Sequence, residues 1–273
     1  KIEMNAAYID EDNYSRSTIN LSNNDQLTSS TDFENGRNTY GNLLNGILYF
    51  RKKFKKEGRR FGANVSYLST ALNVNSGQFS DSKFYDLSGQ LDSISSINQM
   101  VRNDEDKVVF KTNGIYVEPL SNKFFSQTFI NYSLRTETGD RNVFDVTSEG
   151  SEVPNIILTR AYENNIELMR AGTSLRYSHK GVNISVGGAY QQFNLFGTFQ
   201  GLDGSGIEGV VDRKFVNFIP NVSFNMSPSR GSYINAGYGV NANEPAINQL
   251  QPIIDNSNPL FIFRGNPELT PEI

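Results

Sequence analysis

At 273 residues with a net charge of −4 and no cysteine, the chain is neither a basic nucleic-acid binder nor a protein of disulfides or thiolates. A hydrophobic fraction of 37% is thin for a two-sheet or α/β core, whereas a wall with one wet face needs apolar residues on half of each strand. The longest aliphatic or aromatic run, residues 47–50, falls far short of the ~20 residues of a spanning helix, so any membrane crossing is made by strands.

The chain opens on a period-two pattern with Ile2, Met4, Ala6 and Tyr8 on one side, followed by a polar connection over 21–41. Residues 42–54 read as a strand that alternates poorly, and a tight turn at 55–60 leads to Phe61, Ala63, Val65 and Tyr67 opposite Gly62, Asn64 and Ser66. After a long polar connection over 75–106 come a second poorly alternating strand, 107–118, and a turn at 119–122. Strand 123–134 sets Phe124, Ile130, Tyr132 and Leu134 against Gln127, Asn131 and Ser133. Beyond the connection 135–165, strand 166–178 sets Met169, Ala171, Leu175 and Tyr177 against Arg170, Ser174, Arg176 and Ser178. A turn at 179–181 joins it to strand 183–195, and the connection 196–213 leads to strand 214–226, where Pro220 predicts a bulge or locally weak pairing. The turn 227–230 and strand 232–243 complete the series, and a last long loop covers 244–271.

Tight turns alternating with long connections are the rhythm of an outer-membrane barrel, with short turns in the periplasm and long loops outside. The expected fold is therefore all-β: an antiparallel up-and-down transmembrane β-barrel, present as a partial sector of about nine strands across 1–273. An odd strand count cannot close in the even-numbered bacterial manner, so further strands are expected beyond this sector. Ile234, Tyr238, Val222, Phe224, Leu175 and Tyr177 should share the lipid face, and Asn221, Asn235, Asn241 and Arg176 the lumen face. A soluble β-sandwich is the competing architecture, but strands of ~12 residues exceed the usual soluble length.

Few residues suggest chemistry. The sole histidine, His179, has no second histidine for a metal site and reads as a solvated turn residue. The carboxylates of 10–12 and 104–106 lack the spacing of a calcium loop and read as solvated outer loops. The glycine-rich 201–209 has no phosphate-loop Lys or Ser/Thr and reads as a loop tip. The basic 51–60 reads as a turn facing anionic lipid or glycan. Arg170 and Arg176, and with them Lys111, should project into a lumen and pair with a plug or line a path. No catalytic residue, metal ligand or cofactor site is expected, and no nucleic-acid partner.

Three phrases carry a family resemblance: Tyr116-Val117-Glu118-Pro119-Leu120, the basic turn from Phe54 to Arg60, and the stretch from Glu244 to Glu272 with its QLQP, DNSNPL and GNPELTPE segments. They resemble the outer-membrane β-barrels of TonB-dependent receptors of Gram-negative bacteria. The resemblance implies an outer-membrane uptake receptor in contact with lipid, a lumen filled by an N-terminal plug, and energy from the TonB complex. Against that family pattern the chain has no plug or TonB-box segment ahead of Lys1, no C-terminal strands after Ile273, and no Trp for an aromatic belt. The implied solutes are iron chelates, cobalamin, oligosaccharides or peptides. A structural or assembly barrel and a soluble glycan- or cell-binding β-domain are the alternatives. Ligand contacts are expected in the outer loops 75–106, 135–165 and 244–271, with no individual substrate-binding residue assigned.

Overall fold

The computed structural model describes residues 1–23, 26–201, 208–229, 231–243, 245–250, 254–258, 261–266 and 268–272. The sheet begins with β1 (Ile2–Asn23), β2 (Gln26–Lys53), β3 (Arg60–Tyr85), β4 (Leu91–Pro119) and β5 (Phe124–Val146). A short strand β6 (Glu152–Pro154) pairs with the end of β5, and β7 (Arg160–His179), β8 (Val182–Gly201), β9 (Glu208–Ser229) and β10 (Ser232–Gly239) follow. The nine expected strands thus form one open antiparallel sheet in chain order, with β1 and β10 at its edges. A one-turn helix α1 (Ile247–Leu250) and a hairpin of β11 (Ile254–Asn258) and β12 (Phe261–Arg264) come last.

Four turns sit at one end of the sheet, close to where alternation breaks in the sequence. The third consists of Lys180 and Gly181, with φ of 47° and 78°. Two successive positive φ values match the twist of a two-residue hairpin, and Gly181 takes its share without a Cβ clash. The fourth turn lies between Ser229 and Ser232; Arg230 is outside the described residues.

At the other end the expectation of long loops is overturned. Residues 21–41, 75–106, 135–165 and 196–213 are mostly strand, so β2, β3 and β4 reach 28, 26 and 29 residues. Only 86–90 separates β3 from β4, and the bulk of the presumed loop 135–165 belongs to β5 and β7. Of the tip predicted at 201–209, residues 202–207 lie outside the described residues. The acidic trios 10–12 and 104–106 also sit within strands β1 and β4.

Side-chain pairing across the ladder explains why such polar sequence stays in register. Asn38 donates to Asp12 at 2.6 Å, Thr18 to Asp32 at 2.7 Å, and Ser96 to Asp81 at 2.6 Å; each couple stands directly opposite in the register. On the same face Thr136 donates to its opposite Asn165 at 2.8 Å, and on the other face Thr31 donates to its opposite Ser82 at 2.9 Å. Backbone bonds hold the ladder whatever the side chains, so one-sided apolarity is not required where both faces are wet.

Register also carries each face across the sheet. Leu175, Val186, Val222 and Tyr238 form one continuous row, and Tyr177, Ile184, Phe224 and Ala236 form another, so the expected lipid-facing residues do share a face. Arg176, Ser185 and Ser223 lie on the opposite face, with the row Asn183, Asn225 and Asn235 and with Asn221. Asn241 lies past the end of β10, and the ladder gives it no partner. The β8–β9 register runs through Pro220 without the expected bulge. Val240 donates to the Pro220 carbonyl at 3.3 Å, but proline has no N–H to return the bond, and β10 stops there at Gly239.

Every buried residue within the nine long strands lies on the face shared by Arg176 and Asn221. Beyond β10 the chain crosses this concave face. Ala242 packs on Ala189 and Ile219, and Gln191 donates to the Ala242 carbonyl at 3.0 Å. Leu250 is fully buried among Ile166, Leu195, Phe199 and Val211. Part of the stretch expected as the outer loop 244–271 therefore packs inside the curve, where its apolar residues replace water over an apolar patch of the wall.

Candidate functional site on the concave wall

The convex face carries an apolar band. On β5 it runs from Phe124 to Leu134, about ten residues at ~3.3 Å each, which at a strand tilt of ~40° gives a height of about 25 Å. Phe50 and Phe61 (6.0 Å between ring centroids) and Phe124 and Tyr177 (5.1 Å) edge the band near the turns. Phe and Tyr thus supply the aromatic girdle in a chain without Trp.

The far edge of the band slants. The last convex apolar residues before the polar stretch on β3, β4, β5 and β7 are Ala71, Val108, Leu134 and Met169. Their predecessors pair elsewhere: Ala71 with Asp106, Val108 with Thr136, and Leu134 with Glu167. Each successive strand thus enters water two residues early relative to the register, as tilted strands do at a flat membrane boundary. Beyond this edge the strands continue for a dozen residues or so, whereas at the other end they turn at once. Short turns belong to the periplasm, so the extended end is external.

At the periplasmic end two cations of the basic segment 51–60, Lys56 and Arg59, are held by one carboxylate. Arg59 donates to both oxygens of Glu118 (2.7 and 2.8 Å), Lys56 donates at 2.7 Å, and the Tyr116 hydroxyl donates at 2.7 Å. Glu118 lies one step past the band, and these bonds, Arg59 first, hold its carboxyl down to about 2.

Above the band, five strands turn their concave residues onto one open cavity of about 690 Å³. Arg37 comes from β2, Arg135 and Arg141 from β5, and Arg160 from β7; Glu105 and Glu137 are the carboxylates among them. Glu137 is already held by its opposite Lys107 at 2.9 Å and by Arg135 Nε at 3.5 Å, a separation without a hydrogen bond. Glu105 accepts from Asn103. Tyr162 lies flat over its opposite Gly139, where a Cβ would come within 2.4 Å of the ring. Burial, then the Glu105 and Glu137 charges, push its hydroxyl up to about 12, so Tyr162 is a neutral donor throughout the physiological range.

The residues singled out from sequence do not converge here. His179 ends β7 beside Tyr177, ring to ring at 6.5 Å. Arg170 and Arg176 are on the concave face as expected, stacked over Phe129 (5.8 Å) and Phe125 (5.0 Å), but at membrane height. Lys111 shares that face and height. Among the described residues no group of three His, Cys, Asp or Glu side chains is placed to hold a metal. Sequence reasoning missed Arg37, Arg135, Arg141, Arg160 and Tyr162 because they fall in segments read as loops. Their signal was parity: Arg135, Glu137 and Arg141 continue the odd-numbered series of Asn131 and Ser133.

An antiparallel wall with a convex apolar band and a polar concave face is that of a transmembrane β-barrel. The chain belongs to the outer membrane protein beta-barrel family, whose model matches residues 52–273. This places it in the outer membrane of a Gram-negative bacterium, in a family that is generally non-enzymatic. Among solved structures it is similar to the siderophore receptor PiuA from Acinetobacter baumannii, with 7% identity and a TM-score of 0.43 over 89% of this chain and 46% of that one. The chain therefore spans less than half the length of that receptor. A search of curated proteins returns no match.

Proposed function

We propose that this chain is a sector of the wall of a TonB-dependent uptake receptor, whose lumen holds an N-terminal plug and whose cargo is a scarce solute captured from outside. The supporting observation is where polar groups lack partners. Among the described residues, six buried side-chain atoms have no hydrogen-bond partner, on Ser80, Asn103, Arg135, Arg170, Arg176 and Asn217, and all belong to concave-face residues. Each such group costs about 1–3 kcal/mol if nothing meets it, so a polar occupant of the concave side is favoured over a second apolar layer. The motifs of 244–272 add the receptor resemblance.

Growth of the host on limiting iron chelate, cobalamin, oligosaccharide or peptide tests this reading. Deleting the gene should impair growth on one of them, and deleting TonB as well should add nothing for that solute. If the deletion leaves uptake of all four intact while the outer membrane becomes permeable to bulky antibiotics, the protein is a structural barrel instead.

A further inference from the structure

We propose that the cavity above the membrane band is an anion subsite, so that the solute taken by this wall carries carboxylate, phosphate or sulfate groups. This rests on the uptake reading and narrows its cargo.

The first ground is charge segregation across a sheet one residue thick. At this height the strands turn Arg37, Lys107, Arg135, Arg141 and Arg160 inward against Glu105 and Glu137. The same strands turn Glu34, Asp104, Asp106, Asp140 and Glu163 outward, with Arg102 beside them paired to Glu152. A chain of net charge −4 thus presents a cationic interior, and a concave low-dielectric wall focuses that field on an incoming solute.

The second ground is a local rule broken. Arg141 and Arg160 stand directly opposite each other in the β5–β7 ladder, although like charges in that position destabilise a sheet. Arg141 also reaches the Leu158 carbonyl at 3.5 Å, and both arginines have other protein contacts. An anion between the two planar forks would turn that cost into paired charge-assisted bonds.

The third ground is donor capacity in the cavity lining: the Arg135 guanidinium and the Tyr162 hydroxyl, which keeps its proton, both belong to it. Height separates this cluster from Arg170 and Arg176, which lie at membrane level where a plug would sit.

The test uses the full-length protein in detergent micelles and the fluorescence anisotropy of pyrene tetrasulfonate. Wild type should bind the dye, and Arg37→Gln/Arg135→Gln should bind it roughly tenfold more weakly, the scale of one or two charge-assisted bonds. Arg51→Gln, which removes a concave cation at the periplasmic end, should leave binding unchanged. Competition by tricarballylate, pyrophosphate or sulfate identifies the anion type, whereas maltotriose should not compete. Equal weakening by Arg51→Gln, competition by maltotriose, or unchanged binding by the double variant would each overturn the subsite. Should the double variant fail to insert, the single Arg37→Gln variant is judged by the same outcomes. Equilibrium binding needs no TonB, so loss of the subsite and loss of the uptake reading are separately visible.

Discussion

Ile130 and Asn131 are neighbours on β5 that face opposite ways, Ile130 toward lipid and Asn131 toward the concave side. Ile130 sits near the middle of a band that runs from Phe124 to Leu134, so Ile130→Arg places a guanidinium close to the bilayer midplane. The cost there is about 2–4 kcal/mol. Asn131→Arg should cost close to nothing, because its new charge enters the polar interior. Thr138→Arg faces the same way as Ile130 but lies about 10 Å above the band edge, at ~2.5 Å of height per residue, and should cost at most about 1 kcal/mol. The full-length protein folded into lipid vesicles and titrated with urea, with the folded fraction read from heat-modifiable gel mobility, gives the three values. Equal costs for Ile130→Arg and Asn131→Arg would refute the assignment of faces. Equal costs for Ile130→Arg and Thr138→Arg would refute the position of the band edge.

Gly139→Ala puts a methyl within 2.4 Å of the Tyr162 ring and should destabilise the wall by about 1–3 kcal/mol. The displaced ring gains solvent, so the Tyr162 hydroxyl, identified by difference from Tyr162→Phe, should titrate well below its value of about 12. Glu118→Gln should loosen the turn 54–59, seen as faster tryptic cleavage after Lys56 and Arg59. Glu118 has a lowered folded pKa, so its contribution is complete above the ordinary carboxylate range and is lost as pH falls through about 2. The stability difference between wild type and Glu118→Gln should therefore be constant above pH ~4.5 and shrink toward pH ~2. A difference that instead grows on acidification would contradict the Arg59–Glu118–Lys56 cluster.

The strands that cross the membrane were legible in the sequence. Where lipid lies on one side and a wet lumen on the other, the two solvents impose a period of two, and Ile234, Tyr238, Leu175 and Tyr177 follow it strictly. The two poorly alternating strands show where that rule weakens: Ile47 and Val109, among others, face the concave side, so apolar residues occur on both faces. Above the band water bathes both faces, and composition no longer distinguishes a strand from a loop. Asp12 beside Asn38, or Thr31 beside Ser82, becomes a strand-forming pair only once register brings the two together across the ladder. Tertiary pairing alone therefore decided that β2, β3 and β4 extend far outside the membrane. It also decided that arginines scattered from residue 37 to residue 160 meet on one concave wall, because facing follows parity and register, and register is a relation between strands that neither strand contains.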